Sequence, residues 1–517
     1  MTSSQIPRES ELPQFPESLW RNTVQFSEFP RLKGHTEADV AIVGAGITGI
    51  TTAYLLMKEG MSVALIDMGP ILNGTTGYTT AKITSQQGLI YDSLIGHFGE
   101  QQARAYFEAN EEALQFIRSF AAEHGINCGM LQEDAYLYAD SDQDLKKLGQ
   151  EWKAYEKLGL PGEWLDTLSL PLSVKGAIKM KNQARFHPLQ YLQFMVNEIV
   201  AGGAKVYENT MVGEKVEKEN GRLVLRTEQG DTIKCAYAVS ASHFPFYDGA
   251  MYFSRLYSER SYVVAMEPET PFEGGMYVNC GSPRRSLRAA SWNGRNLVLV
   301  AGANHKTGQS KCTIKNYEEL EQFGGSLFGI KSIPFRWSTQ DLTTLDRVPY
   351  IGSATKDDPN ILIATGFAKW GMTTGTLAAN MIRDRIMKRE NRYEELFTPQ
   401  RFKADPTLKN FIVQNAEVAM ELVTGKVEFV QRKASELQND EGAVVRHHGK
   451  RAGAYKDGQG QLFLVDTTCM HMGCEVEWNA GERTWDCPCH GSRYNYKGEV
   501  IEGPATKPLT SLAQEKE

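Results

Sequence analysis

ADVAIVGAGITGITTAYLLMKEGMSVALIDMG, residues 38–69, reads as an apolar strand over Asp39–Val43, a glycine-rich turn, a helix to about Glu59 and a second strand over Ser62–Ile66. That is a βαβ unit. Gly44 permits the tight turn, Gly46 lets a pyrophosphate approach the backbone, and Gly49 lets helix and strand pack closely. The helix start offers free N–H groups and the positive end of a dipole to phosphates. Asp67 ends the second strand 18 residues after Gly49. A carboxylate there accepts hydrogen bonds from ribose hydroxyls and disfavours a 2′-phosphate. Strand, turn, helix, strand and acid in this order predict a dinucleotide site rather than a glycine-rich turn that binds nothing.

The rest of the 517-residue chain is too long for one core, so two or more domains are expected. With 41% hydrophobic and 23% charged residues the composition is that of a globular protein. A net charge of -7 argues against sequence-independent nucleic-acid binding, which needs a basic field. No run of about eighteen apolar residues predicts a membrane span, and the first residues lack an apolar targeting core, so a cytoplasmic protein is expected. Residues 1–35, rich in Pro, Ser and charge, read as an extended arm. Residues 36–390 read as an α/β (α+β) Rossmann-like unit with an inserted mixed-sheet substrate domain at about 253–335. Residues 391–425 read as a charged, helix-leaning linker, and 426–517 as a small all-β module of short strands and glycine turns.

Three further stretches carry a resemblance. Gly74–Ile83 (GTTGYTTAKI), Thr344–Gly352 (TLDRVPYIG) and Asn360–Ala379 (NILIATGFAKWGMTTGTLAA), together with the βαβ unit, resemble the flavoenzyme superfamily of D-amino-acid oxidase, glycine oxidase and sarcosine oxidase. The Asn182–Glu208 stretch resembles the middle segment of that superfamily, which leads to the strand contacting adenine. The resemblance implies FAD as cofactor. Thr75 and Thr76 would sit in the segment that wraps the flavin phosphates and ribityl chain, Gly366 and Gly371 in the turn that covers the flavin ring. No histidine or cysteine lies in 74–83, so a covalent flavin linkage there is not expected. A second dinucleotide fingerprint is missing, which argues against NAD(P) as direct donor.

One position departs from the superfamily. Amino-acid-oxidising members clamp the substrate carboxylate with an arginine three residues before the threonine of T-x-D; here that position is Asp341. An acid there suits a cationic amine or serves as a structural acid. Arg288 offers a replacement clamp, or is a surface arginine on a hairpin. His305 and Lys306 are candidates for an acid or base, or belong to a capped polar loop.

Four of the eight cysteines, Cys469, Cys474, Cys487 and Cys489, fall within 21 residues, which in a cytosolic chain points to metal chemistry before structural disulfides. Cys469-x-His471, fifteen residues, then Cys487-x-x-His490 resembles the Rieske 2Fe-2S motif, whose ligands would be Cys469, His471, Cys487 and His490. A zinc ribbon is the plain competitor, but needs none of the surrounding pattern. The resemblance further implies a disulfide between Cys474 and Cys489, hydroxyl donors to the cluster sulfurs from Ser492 and Tyr494, and a covering loop at Gly503-Pro504-Ala505. Donors to sulfur raise the potential, so the upper part of the Rieske range of roughly -150 to +300 mV is expected.

Together these readings predict an FAD-dependent oxidoreductase. The expected activity is an amine or amino-acid dehydrogenase passing electrons from FAD to the cluster and on to an external acceptor. The alternatives are an electron-transfer or redox-sensing protein without a metabolite substrate, and an oxidase with a structural cluster. An oxygenase would need a spaced two-histidine iron site, which the adjacent His447 and His448 do not provide.

Overall fold

The computed structural model describes residues 12–310, 312–401, 404–427 and 430–512. Its first layer is a six-stranded sheet in the order Tyr350–Ser353, Ile361–Thr365, Tyr237–Ser240, Val40–Val43, Val63–Ile66, Lys205–Tyr207. All neighbours are parallel except the first pair. The strands VAIV and VALI are buried along their whole length, as expected where both faces of a parallel sheet are covered. The helix Ile47–Lys58 packs against both Pro188–Ala201 and Gly371–Ile386 beside it. Glycine is required at the turn. Gly44 has φ 105°, and a Cβ at Gly49 would lie 1.8 Å from the Gly44 carbonyl oxygen.

The apolar run CAYAVSA, residues 235–241, is shared between two sheets. Thr232–Cys235 completes a four-stranded sheet with His35–Glu37, Arg222–Thr227 and Val212–Glu219, while Tyr237–Ser240 enters the six-stranded sheet.

The second large layer is a nine-stranded mixed sheet. It takes in strands from the 253–335 region, and also Leu131–Ala139, Gly176–Arg185 and the short Lys82–Ile83 from earlier in the chain. Its two longest partners, Leu256–Glu267 and Ser332–Thr344, run antiparallel with Glu259 opposite Asp341 and Arg260 opposite Gln340. Successive side chains of a strand point to opposite faces, so this pair presents two different surfaces.

The N-terminal segment is pinned rather than free. Ser18 caps the short helix Leu19–Asn22 and donates to the Gly77 carbonyl at 2.5 Å; the buried Trp20 donates from Nε1 to the Thr79 carbonyl at 2.7 Å. The segment 12–35 thus straps the 74–80 loop. The first eleven residues of the expected arm lie outside the described residues. Within the region read as a linker, the helix Ala404–Val427 is tied down by Asn410, which donates to the Leu345 carbonyl at 2.7 Å, and by an ion pair of Glu417 with Lys306.

The C-terminal module has a three-stranded sheet (Glu441–His447, Lys450–Lys456, Leu462–Val465) and a four-stranded one (Glu477–Asn479, Thr484–Asp486, Arg493–Asn495, Val500–Glu502). No helix among the described residues is long and apolar enough to cross a membrane.

Candidate active site and cluster site

A cavity of about 1040 Å³ lies between the two large sheets and the C-terminal module. Gly44, Gly46, Asp67, Thr75, Thr76, Gly366 and Gly371 all line it; Gly49 sits behind, holding helix against turn. Asp67 accepts from the Ala45 and Gly69 amides at 2.7 and 3.0 Å, and burial pushes its carboxyl up to about 6. Thr76 accepts from the Ile47 amide at the helix start at 3.1 Å, and Thr75 donates to the Gln340 carbonyl at 3.2 Å. His243 adds to the wall a buried Nε2 with no protein partner, an orphan that a polar atom of a bound cofactor satisfies. A bare-backbone turn, a helix start and a volume of this size fit FAD.

The nine-stranded sheet forms the far wall of the cavity, and here sequence reasoning missed most of the groups. Lys82, Arg284 and Arg347 line it, and among the described residues none of them is ion-paired with a carboxylate. Arg284 donates to the Asn279 carbonyl at 2.7 Å; Lys82 donates to Ser286 and reaches the Tyr277 carbonyl at 3.4 Å. Burial, followed by Arg288 and Arg284, pulls the Lys82 ammonium down to about 7. Arg347 is held at φ 65°, an uncommon backbone for an arginine, inside the T-x-D-x-x-P turn. Glu259 and Asp341, directly opposite each other, also face the cavity, with Lys369 3.4 Å from Glu259. Burial pushes Asp341 up to about 6, against the pull of Lys369 and with the repulsion of Glu259.

Of the expected catalytic candidates, only Asp341 is on this wall. Arg288 is neither surface residue nor clamp: it is 2% exposed, donates to the Ala81 carbonyl at 2.8 Å and lies over the Trp20 ring. It shares a face with the cavity-lining Ser286 but is one step further along the strand, beneath the N-terminal strap. His305 stacks on Tyr262 and bonds its hydroxyl at 2.8 Å, away from the cavity; its neighbour Asn304 takes the inward position. Lys306 is engaged by Glu417.

The cluster loops fold as two matching turns, closed by the Gly473 amide on the Cys469 carbonyl (2.9 Å) and the Gly491 amide on the Cys487 carbonyl (3.1 Å). They bring Cys469, His471, Cys487 and His490 together. The histidine rings are 5.0 Å apart and perpendicular. Burial lowers His471 to about 4 and His490 to about 3, so both are neutral imidazoles able to bind metal. His490 Nδ1 is buried with no protein partner. A hydrogen bond between the two thiols pulls Cys469 down to about 6 and pushes Cys487 up. Cys474 and Cys489 form the expected disulfide, and Cys487 Sγ lies within 4.8 Å of both their sulfurs. Tyr494 Oη is 3.2 Å from Cys469 Sγ; Ser492 Oγ accepts from the Ala505 amide at 3.0 Å, tying the Gly503-Pro504-Ala505 loop to the site. This donor set of two sulfurs and two ring nitrogens fits a Rieske cluster.

The two sites share a wall. His471 and the segment Glu499–Thr506 line the same cavity as Gly44 and Gly366. Phe253 stands against His471 and His490, at 5.6 and 5.4 Å between ring centres.

Comparison with known proteins agrees with both halves. Residues 39–385 match the family model for FAD dependent oxidoreductases, and residues 428–513 that for the Rieske 2Fe-2S domain. A Bacillus subtilis (strain 168) protein named for a Rieske 2Fe-2S iron-sulfur centre, YhfW, is 47% identical over 498 residues, 96% of this chain and 97% of that protein. The cytochrome b6-f complex iron-sulfur subunit of Synechococcus sp. (strain JA-3-3Ab) is 53% identical over 47 residues, 9% of this chain and 27% of that subunit. In fold, the chain is similar to glycine oxidase from Geobacillus kaustophilus, with a TM-score of 0.59 at 18% identity over 71% of this chain and 99% of that one.

Proposed function

Since this chain belongs to the FAD dependent oxidoreductase family and carries a Rieske 2Fe-2S domain, we propose that it is a dehydrogenase of an amine or amino acid whose electrons pass from FAD to the cluster and on to an external one-electron acceptor. The observation that carries this reading is the shared wall: the ligand histidine His471 lines the cavity that the glycine turn opens on. When bound, FAD supplies a two-electron acceptor for the substrate C–N bond, and the cluster a one-electron store.

The residues around the cavity favour the amino-acid half of this reading. Arg284, Arg347 and Lys82 form a cationic pole without carboxylate partners, suited to a substrate carboxylate. Glu259 and Asp341 form an acidic pole suited to the ammonium group. Asp341 thus takes the role of amine anchor, while the carboxylate clamp comes from other strands. Lys82 Nζ, held near neutrality, is placed to exchange a proton with the bound substrate. A cytoplasmic setting is part of the reading, supported by Cys128, Cys235 and Cys280 being buried free thiols.

The test is anaerobic titration of the holoprotein with a panel of amino acids and uncharged amines, following flavin bleaching and the cluster EPR signal together. The reading expects an amino acid to elicit both. Flavin bleaching without a cluster signal overturns the electron order; no bleaching by any of them leaves an electron carrier without metabolite substrate.

A further inference from the structure

The strands Leu256–Glu267 and Ser332–Thr344 have cavity on one face and cluster module on the other. Tyr257, Glu259 and Ser261 face the cavity. The alternate positions Ser258 and Arg260, with Gln340 opposite, face the module. Arg260 is 1% exposed, and its guanidinium lies 3.7 Å from both Glu482 and Glu502, two carboxylates of the module. Glu502 pairs in turn with Arg493 at 2.9 Å, and Arg493 with Asp486 at 3.1 Å. The Gln340 amide is held at both ends: Nε2 donates to the Gly491 carbonyl at 2.9 Å, and Oε1 accepts from Thr307 at 2.8 Å. Gly491 directly follows the ligand His490. Arg336 donates to the Gly481 carbonyl at 2.9 Å, and Thr313 to Asn479 at 2.7 Å. At Gly308 even a Cβ would lie 2.6 Å from the Pro488 nitrogen.

Relative motion is the default for domains joined by a small, loosely fitted interface. This one is a buried lattice of ion pairs and hydrogen bonds. Separating it would break together the Arg260 pairs with Glu482 and Glu502 and the hydrogen bonds of Gln340, Arg336 and Thr313, and would open the close fit at Gly308. We propose that Arg260 and Gln340 are positioning residues that keep the cluster module docked on the flavin unit throughout turnover, so that the cluster is reduced and reoxidised without leaving its seat. The proposal rests on the FAD-to-cluster route above. Docking makes and breaks no bond; the transfer it serves is two successive one-electron steps, balanced by two one-electron reductions of the outside acceptor.

The test uses anaerobic holoprotein whose flavin is photoreduced by a light flash with EDTA as the sacrificial electron donor in place of substrate, in buffers of rising glycerol content. Wild type is expected to transfer at a rate independent of viscosity, with equal hydrogen exchange over 479–505 in the oxidised and reduced states. Arg260→Gln and Gln340→Ala are expected to transfer at least tenfold more slowly, with raised exchange in that segment and with both midpoint potentials unchanged. A wild-type rate falling in inverse proportion to viscosity, or variants matching wild type in rate and exchange, would overturn the proposal. The viscosity series needs no variant, so it decides even where Arg260→Gln fails to fold. A wild-type cluster that stays oxidised after the flash instead defeats the electron route, and the exchange comparison still decides the docking.

Discussion

The nucleotide turn and the cluster loops both hold a large cofactor, but with opposite parts of the chain. At Gly44–Gly49 the working surface is bare backbone, and the carbonyl of Gly44 leaves no room for a Cβ at Gly49. At 469–474 and 487–492 the backbone only sets the turns, and four side chains would do the holding in the proposed cluster site. A site made of backbone cannot accept added atoms; a site made of ligands cannot lose any. The sharpest way to break this contrast is a pair of substitutions. Gly49→Val is expected to abolish FAD binding while iron and sulfide stay stoichiometric, and Cys487→Ser to abolish the cluster while FAD stays bound. Cofactor analysis of the two purified proteins checks both, and either variant losing both cofactors or neither refutes the contrast.

The next effect separates the substrate wall from both cofactor sites. A hydrogen bond to a charged group contributes about 1.5–3 kcal/mol, so Arg284→Met should raise KM for an amino-acid substrate by roughly 10- to 150-fold and leave an uncharged amine unaffected. Steady-state kinetics on the pair of substrates reads this directly.

A smaller effect is in pH. Asp341, raised to about 6 by burial, with Glu259 and Glu502 raising it further and Lys369 and Arg260 opposing, is anionic only above that value. Lys82, lowered to about 7, faces Arg288 and Arg284, and is cationic only below it. Asp341 and Lys82 are therefore both charged only in the window from about 6 to about 7, and KM should be lowest there. Asp341→Asn should flatten the acid limb of the KM profile, and Lys82→Arg the alkaline limb. The smallest expected effect is at the cluster: Tyr494→Phe removes the hydroxyl beside Cys469 Sγ. One hydrogen bond of about 0.5–1.5 kcal/mol corresponds to a fall of ~20–65 mV in the cluster potential, measurable by EPR-monitored titration.

What could be read from the sequence follows from how local each device is. The glycine fingerprint and the two cysteine–histidine loops each lie within a short stretch, so the first is legible with its flanking strands and acid, and the second through its resemblance to the Rieske motif. The Cys474–Cys489 pairing came from resemblance and is present. The cationic pole was illegible, because Lys82, Arg284 and Arg347 come from distant segments that only sheet pairing and one left-handed turn bring to a single wall. Arg288 misled for a related reason: alternation says which residues share a face, not which of them ends beneath another segment, here the strap carrying Trp20. The charge lattice around Arg260 joins positions more than two hundred residues apart, with no sequence signal to link them.

The strand Leu256–Glu267 works as a partition, and that has a consequence for how such a protein can change. Residues 257, 259 and 261 line the cavity, and their neighbours 258 and 260 meet the iron–sulfur module. Substitutions at 257, 259 and 261 can retune substrate choice while the electron exit stays as it is. A single inserted or deleted residue in this strand would exchange the two sets of side chains, turning Arg260 toward the substrate and a carboxylate toward the cluster's own acids. New specificities in this lineage should therefore arise by point substitution in this strand and by length change only elsewhere.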